Sequence, residues 1–163
     1  MPETLLQSLE RYASQHQLRI GEKLGSGIHG LVHEAIRQDG VERSALKVHH
    51  AVDANVSERE AYRRLRAASV EQIESLNVPQ LIEWDDKLLI VQMTIVSKPF
   101  LLDFAGVTID HRPDFPEDVW REWEEGKREQ FGNRWLAVQR IISELETFGI
   151  YLNDVSPSNI AFE

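Results

Sequence analysis

The sequence contains no cysteine, which excludes disulfide bonds and thiol catalysis and favours a reducing compartment. No segment approaches the run of about 18 apolar residues that a membrane-spanning helix needs. The first twenty residues also lack the basic start and apolar run of a signal peptide. We therefore expect a cytoplasmic protein that has no membrane partner.

Positive charge is also scarce, since 18 Lys and Arg residues face 27 Asp and Glu residues, giving a net charge of −9. Such a chain is repelled by nucleic-acid backbones unless it carries a local basic patch. The one cluster of basic residues has the spacing of a solvated helix face and comprises Arg59, Arg63, Arg64 and Arg66. The six histidines show no zinc-type spacing. We therefore predict no nucleic-acid partner.

What is present suits an ordinary globular core, with 42% apolar and 28% charged residues in 163 residues. A chain of this length forms one domain or two small lobes that share a cleft. Hydrophobic periodicity predicts an α+β fold with a small antiparallel sheet, and a lobe boundary near Ser97 that separates 1–96 from 97–163. The expected helices cover 2–15, 53–68, 115–131 and 134–147, and the expected strands cover 18–24, 31–37, 41–49, 81–84, 87–95, 150–152 and 160–162.

A glycine-rich segment lies between the first two expected strands, with Gly25, Gly27 and Gly30 in the pattern G-x-G-x-x-G. Glycine lets the backbone approach phosphate oxygens without a side-chain clash. A dinucleotide-binding turn would need a helix to follow, and here the residues from Leu31 alternate as a strand does. A glycine-bearing hairpin with no ligand is the alternative that the segment alone leaves open.

A lysine follows on the third expected strand, in Ala45-Leu46-Lys47-Val48. Val32 and Ala45 can form an apolar roof over a purine ring, and Lys47 shares the face of Ala45 because side chains alternate along a strand. An ammonium in such a cleft needs an acidic partner. Glu58 is the preferred partner because it shares a helix face with Tyr62 and Leu65, and Glu60 is the second choice.

In this order the motifs resemble the protein-kinase-like fold. Leu24–Val32 is similar to its glycine-rich loop, Ala45-Leu46-Lys47 to its third-strand lysine motif, Glu58 to its helix-C glutamate, and residues 89–94 to its fifth strand and hinge. The resemblance implies a five-stranded antiparallel N-lobe sheet with one helix, and a reduced, mainly helical C-lobe. It also implies that ATP is bound, with a gatekeeper at Val91 and adenine hydrogen bonds from the carbonyl of Gln92 and the amide of Thr94.

The last segment, Tyr151–Asn159, resembles the catalytic loop H-R-D-x-x-x-x-N of that family. The resemblance places Asp154 at the position of the catalytic base and Asn159 at the position of a Mg²⁺ ligand. From the residues alone, a polar turn in which Asp154 caps backbone amides and Pro157 stiffens the loop remains the alternative.

The sequence also departs from the family pattern at several positions. Leu152 and Asn153 replace the His and Arg of the catalytic loop, and Ser156 stands where protein kinases usually carry a lysine. No D-F-G follows Asn159, and the sequence ends four residues later. Asp103 precedes the loop, so chain order gives it no D-F-G role, and the sequence does not show whether it reaches the cleft.

Several functions are therefore compatible with the sequence. The first is a kinase-like phosphotransferase in which Asp154 acts as base. The second is a nucleotide-binding pseudokinase that serves as a regulatory or scaffold module without catalysis, and a third is a ligand-free scaffold. A protein partner could bind at 97–131, where Trp120 and Trp123 lie in an acidic helix, and another subunit could complete the Mg²⁺ site.

Overall fold

The computed structural model describes residues 1–163 and has an α+β fold, as the sequence predicts. A short 3₁₀ helix (Gly132–Arg134) lies between the last two α-helices. The helices and strands in chain order are α1 (Leu5–Gln15), β1 (Leu18–Gly27), β2 (Gly30–Arg37), β3 (Arg43–His49), α2 (Val52–Ala67), β4 (Gln72–Ile73), β5 (Leu76–Asn77), β6 (Leu81–Asp85), β7 (Ile90–Met93), β8 (Phe100–Leu101), β9 (Thr108–Ile109), α3 (Glu117–Phe131), α4 (Trp135–Glu146), β10 (Ile150–Tyr151) and β11 (Ile160–Ala161).

The centre of the fold is a five-stranded antiparallel sheet with the strand order β1-β2-β3-β7-β6. The pairing of β2 with β3 sets Val32 opposite Lys47, and the pairing of β3 with β7 sets Ala45 opposite Met93. Because side chains alternate, Ala45 and Lys47 point to one face of the sheet and Leu46 and Val48 to the other.

Helix α1 covers the second of these faces. Thr4 starts the helix with a capping box, in which its hydroxyl accepts from the Gln7 amide and the Gln7 side chain accepts from the Thr4 amide. Leu9 and Tyr12 are fully buried against Leu46 and other apolar residues of β3 and β7. The sequence predicted this helix but not that it would close one side of the sheet.

Helix α2 covers the opposite face, where Ala61, Tyr62 and Leu65 pack in the larger core. The sequence offers Asp53 or Asn55 as a helix cap, but the helix starts after Ala51 without a side-chain cap. Asn55 instead lies in the buried first turns of the helix and its side chain faces His49.

The chain after Ser97 adds two helices and short strand pairs to the same core. Four residues of α4 are buried there, namely Trp135, Val138, Ile141 and Leu145. Strand β9 pairs with β10 and β8 pairs with β11, both antiparallel. The larger core contains residues from both sides of Ser97, so the division into 1–96 and 97–163 stays a prediction. None of the helices is long and apolar enough to span a membrane.

Candidate functional site

A cleft of about 520 Å³ lies on the α2 side of the sheet and has 21 lining residues, nine of them hydrophobic. This volume is typical of small-molecule sites, which measure about 300–1,000 Å³. The cleft gathers most of the residues that the sequence singled out, from segments far apart in the chain. Those that line it are Gly25, Gly27, Gly30, Val32, Ala45, Lys47, Thr94, Asp154 and Asn159.

The glycine-rich segment forms the roof of the cleft as a tight hairpin, because β1 extends to Gly27 and β2 begins at Gly30. A Cβ on Gly25 or Gly27 would meet no atom within 4 Å, so both leave open space above the cleft. Gly30 differs, because a Cβ there would overlap the carbonyl oxygen of Val48. Packing of β2 on β3 is therefore sufficient to require glycine at position 30, whether or not phosphate binds.

Lys47 lies at the inner end of the cleft, and only 8% of the residue is exposed. Its Nζ atom is 2.9 Å from Glu58 Oε1 and 2.9 Å from Asp103 Oδ1. Burial lowers the pKa of the Lys47 ammonium, but the two carboxylates outweigh this effect and raise that pKa above its ordinary value. The structure thus brings Lys47 and Glu58 together as predicted, and Glu60 pairs instead with Arg63 and Arg64.

Glu58 is completely buried and accepts hydrogen bonds from three groups. The donors are Lys47 Nζ, His49 Nε2 at 2.9 Å, and the backbone amide of Phe104 at 2.7 Å. Burial alone would raise the pKa of the Glu58 carboxyl, but the charge of Lys47 and the hydrogen bond from His49 lower it to about 2. The carboxylate is therefore ionised at neutral pH and joins β3, α2 and the segment after β8.

Asp103 also lies at this site, although its position before the catalytic-loop segment gave it no predicted role. It lies two residues beyond Leu101, and its carboxylate lines the cleft with 27% of the side chain exposed. Its φ of 68° is uncommon for a residue other than glycine and aims the side chain at Lys47. The signal that could have identified it is local: an Asp-Phe pair lies between two leucines and Gly106.

The pairing of β8 with β11 explains why Asp103 lies in the cleft. In the antiparallel pair of β8 and β11, Leu101 is opposite Ile160, so the residues after Leu101 and before Ile160 lie at the same end. The amide of Leu102 donates to the carbonyl of Asn159 over 2.8 Å. This pairing sets Asp103 beside Asn159, although 56 positions separate them in the sequence.

The segment that resembles a catalytic loop is held by its apolar residues, with Leu152 and Val155 buried. Asp154 is exposed on the cleft side, and its Oδ2 atom accepts from Asn159 Nδ2 over 3.1 Å. Asn153 Nδ2 donates to the carbonyl of Gly106 over 2.7 Å, which ties the loop to the Asp103 segment. Ser156 stands where the resemblance implies a lysine, and its Oγ atom lies 2.8 Å from Ser158 Oγ.

The two residues predicted to bind adenine lie differently in relation to the cleft. The side chain of Gln92 points to the α1 face, where Tyr12 donates to its Oε1 atom over 2.9 Å, and Gln92 does not line the cleft. The Thr94 amide already donates to the carbonyl of Gln80 over 2.9 Å. Val91 is fully buried in the sheet, and the cleft is lined instead by Met93 and the three residues after it. The four residues of β7 are all buried, so their pattern shows no alternation that would fix the end of the strand.

Backbone groups of the segment after β7 are free to bind a ligand. The amides of Ile95 and Val96 and the carbonyl of Thr94 have no backbone hydrogen bond within the chain. All three residues line the cleft. An amide and a carbonyl at this edge can pair with the edge of a heterocyclic base.

The oxygen atoms in the cleft fit a hard cation that also binds phosphate. No group of three or more His, Cys, Asp or Glu side chains converges on one point, so the protein alone does not enclose a metal. Asp103 offers a partly exposed carboxylate, and Asn159 offers Oδ1, because its Nδ2 is engaged by Asp154. Mg²⁺ commonly takes one or two such oxygens and completes its shell with phosphate and water.

Comparison of the sequence with protein-family models and with curated proteins finds no match.

Proposed function

We propose that the chain is a kinase-like, ATP-binding phosphotransferase. The observation that carries the proposal is the gathering of Lys47, Asp103, Asp154 and Asn159 in one cleft, from three separate segments. An ammonium, a carboxylate pair and an amide beneath an open glycine hairpin are the groups that phosphoryl transfer uses, since its catalysis depends on positioning and on charge neutralisation.

In this proposal, Asp103 supplies the carboxylate for Mg²⁺ that the D-F-G motif provides in the protein-kinase-like family. Asp103 and Asn159 would hold Mg²⁺, and the bound ion would neutralise charge on the nucleotide phosphates. Lys47 would lie next to the same phosphates and exchange part of its contact with Asp103 for a phosphate oxygen. The left-handed backbone at Asp103 agrees with this role, because such conformations cluster at ligand-binding positions.

The base of the nucleotide would lie between Val32 and Ala45 on the sheet side and Met93 at the end of β7. The carbonyl of Thr94 and the amide of Val96 would bind its polar edge, since both are unpaired and two residues apart. This assignment replaces the sequence-based one through Gln92 and Thr94.

Asp154 would act as the base toward an acceptor hydroxyl. The acceptor oxygen forms a bond to the γ-phosphorus, the bond from that phosphorus to the β–γ bridging oxygen breaks, ADP leaves, and the hydroxyl proton passes to Asp154. Asn159 Nδ2 orients the carboxylate through its hydrogen bond to Oδ2, which leaves Oδ1 for the acceptor.

A nucleotide-binding pseudokinase is the second candidate. The specific observation in its favour is that Ser156, where the resemblance implies a catalytic-loop lysine, bonds to Ser158. In that case the surface at 97–131 would bind the regulated protein partner. That surface stays a prediction.

Calorimetric titration with ATP, with and without Mg²⁺, tests the binding half of the proposal. We expect wild-type protein to bind ATP more tightly with Mg²⁺, and Asp103→Asn to lose most of this Mg²⁺ effect. Lys87→Ala, a substitution of an exposed lysine in the β6–β7 turn, should bind as the wild type does. If wild-type protein binds no ATP at millimolar concentration, both candidate functions are wrong.

Transfer of label from [γ-³²P]ATP to a pool of proteins and metabolites separates the two candidates. Asp154→Asn should keep ATP affinity and lower the transfer rate about 10²–10⁴-fold, the usual contribution of a general base. ATP binding by wild-type protein without transfer to any acceptor, with Mg²⁺ or Mn²⁺, would favour the pseudokinase and contradict the phosphotransferase.

A further inference from the structure

His29 occupies an unusual place at the tip of the glycine hairpin. The two-residue turn between β1 and β2 consists of Ile28 and His29, and the apolar residue faces solvent with 87% exposure. Both residues line the cleft, but His29 is the more buried of the two. The hydrophobic effect favours the reverse arrangement, so burial of apolar surface does not explain the inward imidazole.

The surroundings of the imidazole place it over the predicted site of reaction. Gly106 leaves room for it, because a Cβ at that position would lie 3.4 Å from His29 Nε2 and 4.0 Å from Asp154 Cβ. The turn is also anchored, since the amide of His50 donates to the carbonyl of His29 over 2.9 Å. The imidazole therefore lies between the glycine hairpin and the segment that carries Asp154.

Its ring nitrogens are free. The imidazoles of His33, His49 and His111 each have a hydrogen-bond partner in the chain, whereas that of His29 has none. A partly buried imidazole without a partner in a cleft has a donor to offer to a ligand.

The charges of the cleft show which ligand group needs that donor. Among the 21 lining residues, Lys47 and His29 are the two that can carry positive charge, and Lys47 is already paired with Glu58 and Asp103. Asp154 adds a further carboxylate. A nucleoside triphosphate carries its highest charge density on the terminal phosphate, which needs donors close by.

We propose that His29 donates a hydrogen bond to the terminal phosphate of a bound nucleoside triphosphate, and that it thereby makes the site selective for triphosphate over diphosphate. The inference rests on the proposed nucleotide function. His29 would supply a donor near the transferred phosphate, where the resemblance implies a lysine of the catalytic loop and this chain has Ser156. It would reach that phosphate from the glycine hairpin, which forms the roof of the cleft.

The test is a pair of calorimetric titrations, with ADP and with the non-hydrolysable analogue AMP-PNP, both with Mg²⁺. His29→Ala and His29→Phe should weaken AMP-PNP binding about 10- to 100-fold, the loss expected for one hydrogen bond to a charged group, and change ADP binding less than about twofold. His29→Gln should recover most of the affinity, because its side-chain amide is also a donor. His50→Ala, at the exposed neighbouring histidine, is the matched control and should match wild type.

The outcomes distinguish the inference from the function on which it rests. Wild-type protein that binds neither nucleotide overturns both. Wild-type protein that binds both nucleotides, with the same ratio of affinities in His29→Phe, overturns the role of His29 and leaves the nucleotide function standing. Equal losses for ADP and AMP-PNP also overturn it, because they place the effect of His29 on the shape of the site and not on the terminal phosphate.

Discussion

Replacement of Glu58 by glutamine changes one atom and should be among the most costly substitutions in this chain. The carboxylate is fully buried and serves three donors, from Lys47, His49 and Phe104. Glutamine keeps the volume but turns an amide NH₂ toward groups that are themselves donors. Breaking a buried ion pair by removing one charge typically costs about 3–5 kcal/mol, because the other charge is left buried and unpaired.

Urea denaturation at pH 7, followed by far-UV circular dichroism, measures this cost as a lower free energy of unfolding. For a chain of this size each kcal/mol corresponds to about 2–4 °C, so the melting temperature should fall by about 6–20 °C. The control is Glu60→Gln on the same helix, whose carboxylate is 30% exposed and pairs with Arg63 and Arg64. Half-exposed pairs contribute about 1 kcal/mol or less. Equal losses for the two variants would refute the buried network as a source of stability.

The contribution of Glu58 to the free energy of unfolding should also depend on pH. The pKa of the Glu58 carboxyl is lowered from 4.5 to about 2 by folding, so its contribution to stability is fully present above about pH 4.5. As the pH falls toward 2 the folded state loses this contribution, and the difference between wild type and Glu58→Gln should shrink. A difference that stays constant from pH 5 to pH 2 would show that the charge of Glu58 is not its cause.

Two further pairs of substitutions, each with a matched control, test single contacts in the fold. Gly30→Ala should lower the free energy of unfolding by about 1–3 kcal/mol, because the new methyl group meets the backbone of β3. Gly27→Ala, which has open space around it, should change that free energy by less than about 1 kcal/mol. Urea denaturation without ligand measures both, and a Gly30→Ala variant as stable as the wild type would contradict the packing explanation. Tyr12→Phe should cost about 1–3 kcal/mol in the same assay, because it leaves Gln92 Oε1 buried without its donor, while Tyr151→Phe, which removes a hydroxyl with no hydrogen bond in the chain, should cost little.

Local rules were sufficient for the part of the cleft that the sequence did predict. The alternation of side chains along a strand sets Ala45 and Lys47 on one face, and helical spacing sets Glu58 on the buried side of α2 with Tyr62. These relations span a few residues and depend little on the rest of the fold. The α+β class and most helix and strand positions were predictable for the same reason.

The end of β7 was not predictable in this way. Residues 90–93 are all buried, since α1 covers one face of the strand and α2 the other. A strand buried on both faces has no polar alternation to mark its register or its last residue. The side chain of Gln92 bonds to Tyr12, 80 residues earlier, and no periodicity within either segment shows this contact.

Asp103 was missed for a different reason, which concerns chain order. The expectation of D-F-G after Asn159 treats the order of segments as part of the site, but the antiparallel pairing of two strands does not depend on which comes first in the chain. Because Leu101 is opposite Ile160, the residue that follows one strand and the residue that precedes the other lie at the same end of the pair. A carboxylate delivered from before the loop therefore reaches Lys47 as well as one delivered from after it. Exchanging Asp103 for asparagine tests this equivalence directly, because the proposed Mg²⁺ dependence of ATP binding should depend on that carboxylate and not on any residue after Asn159.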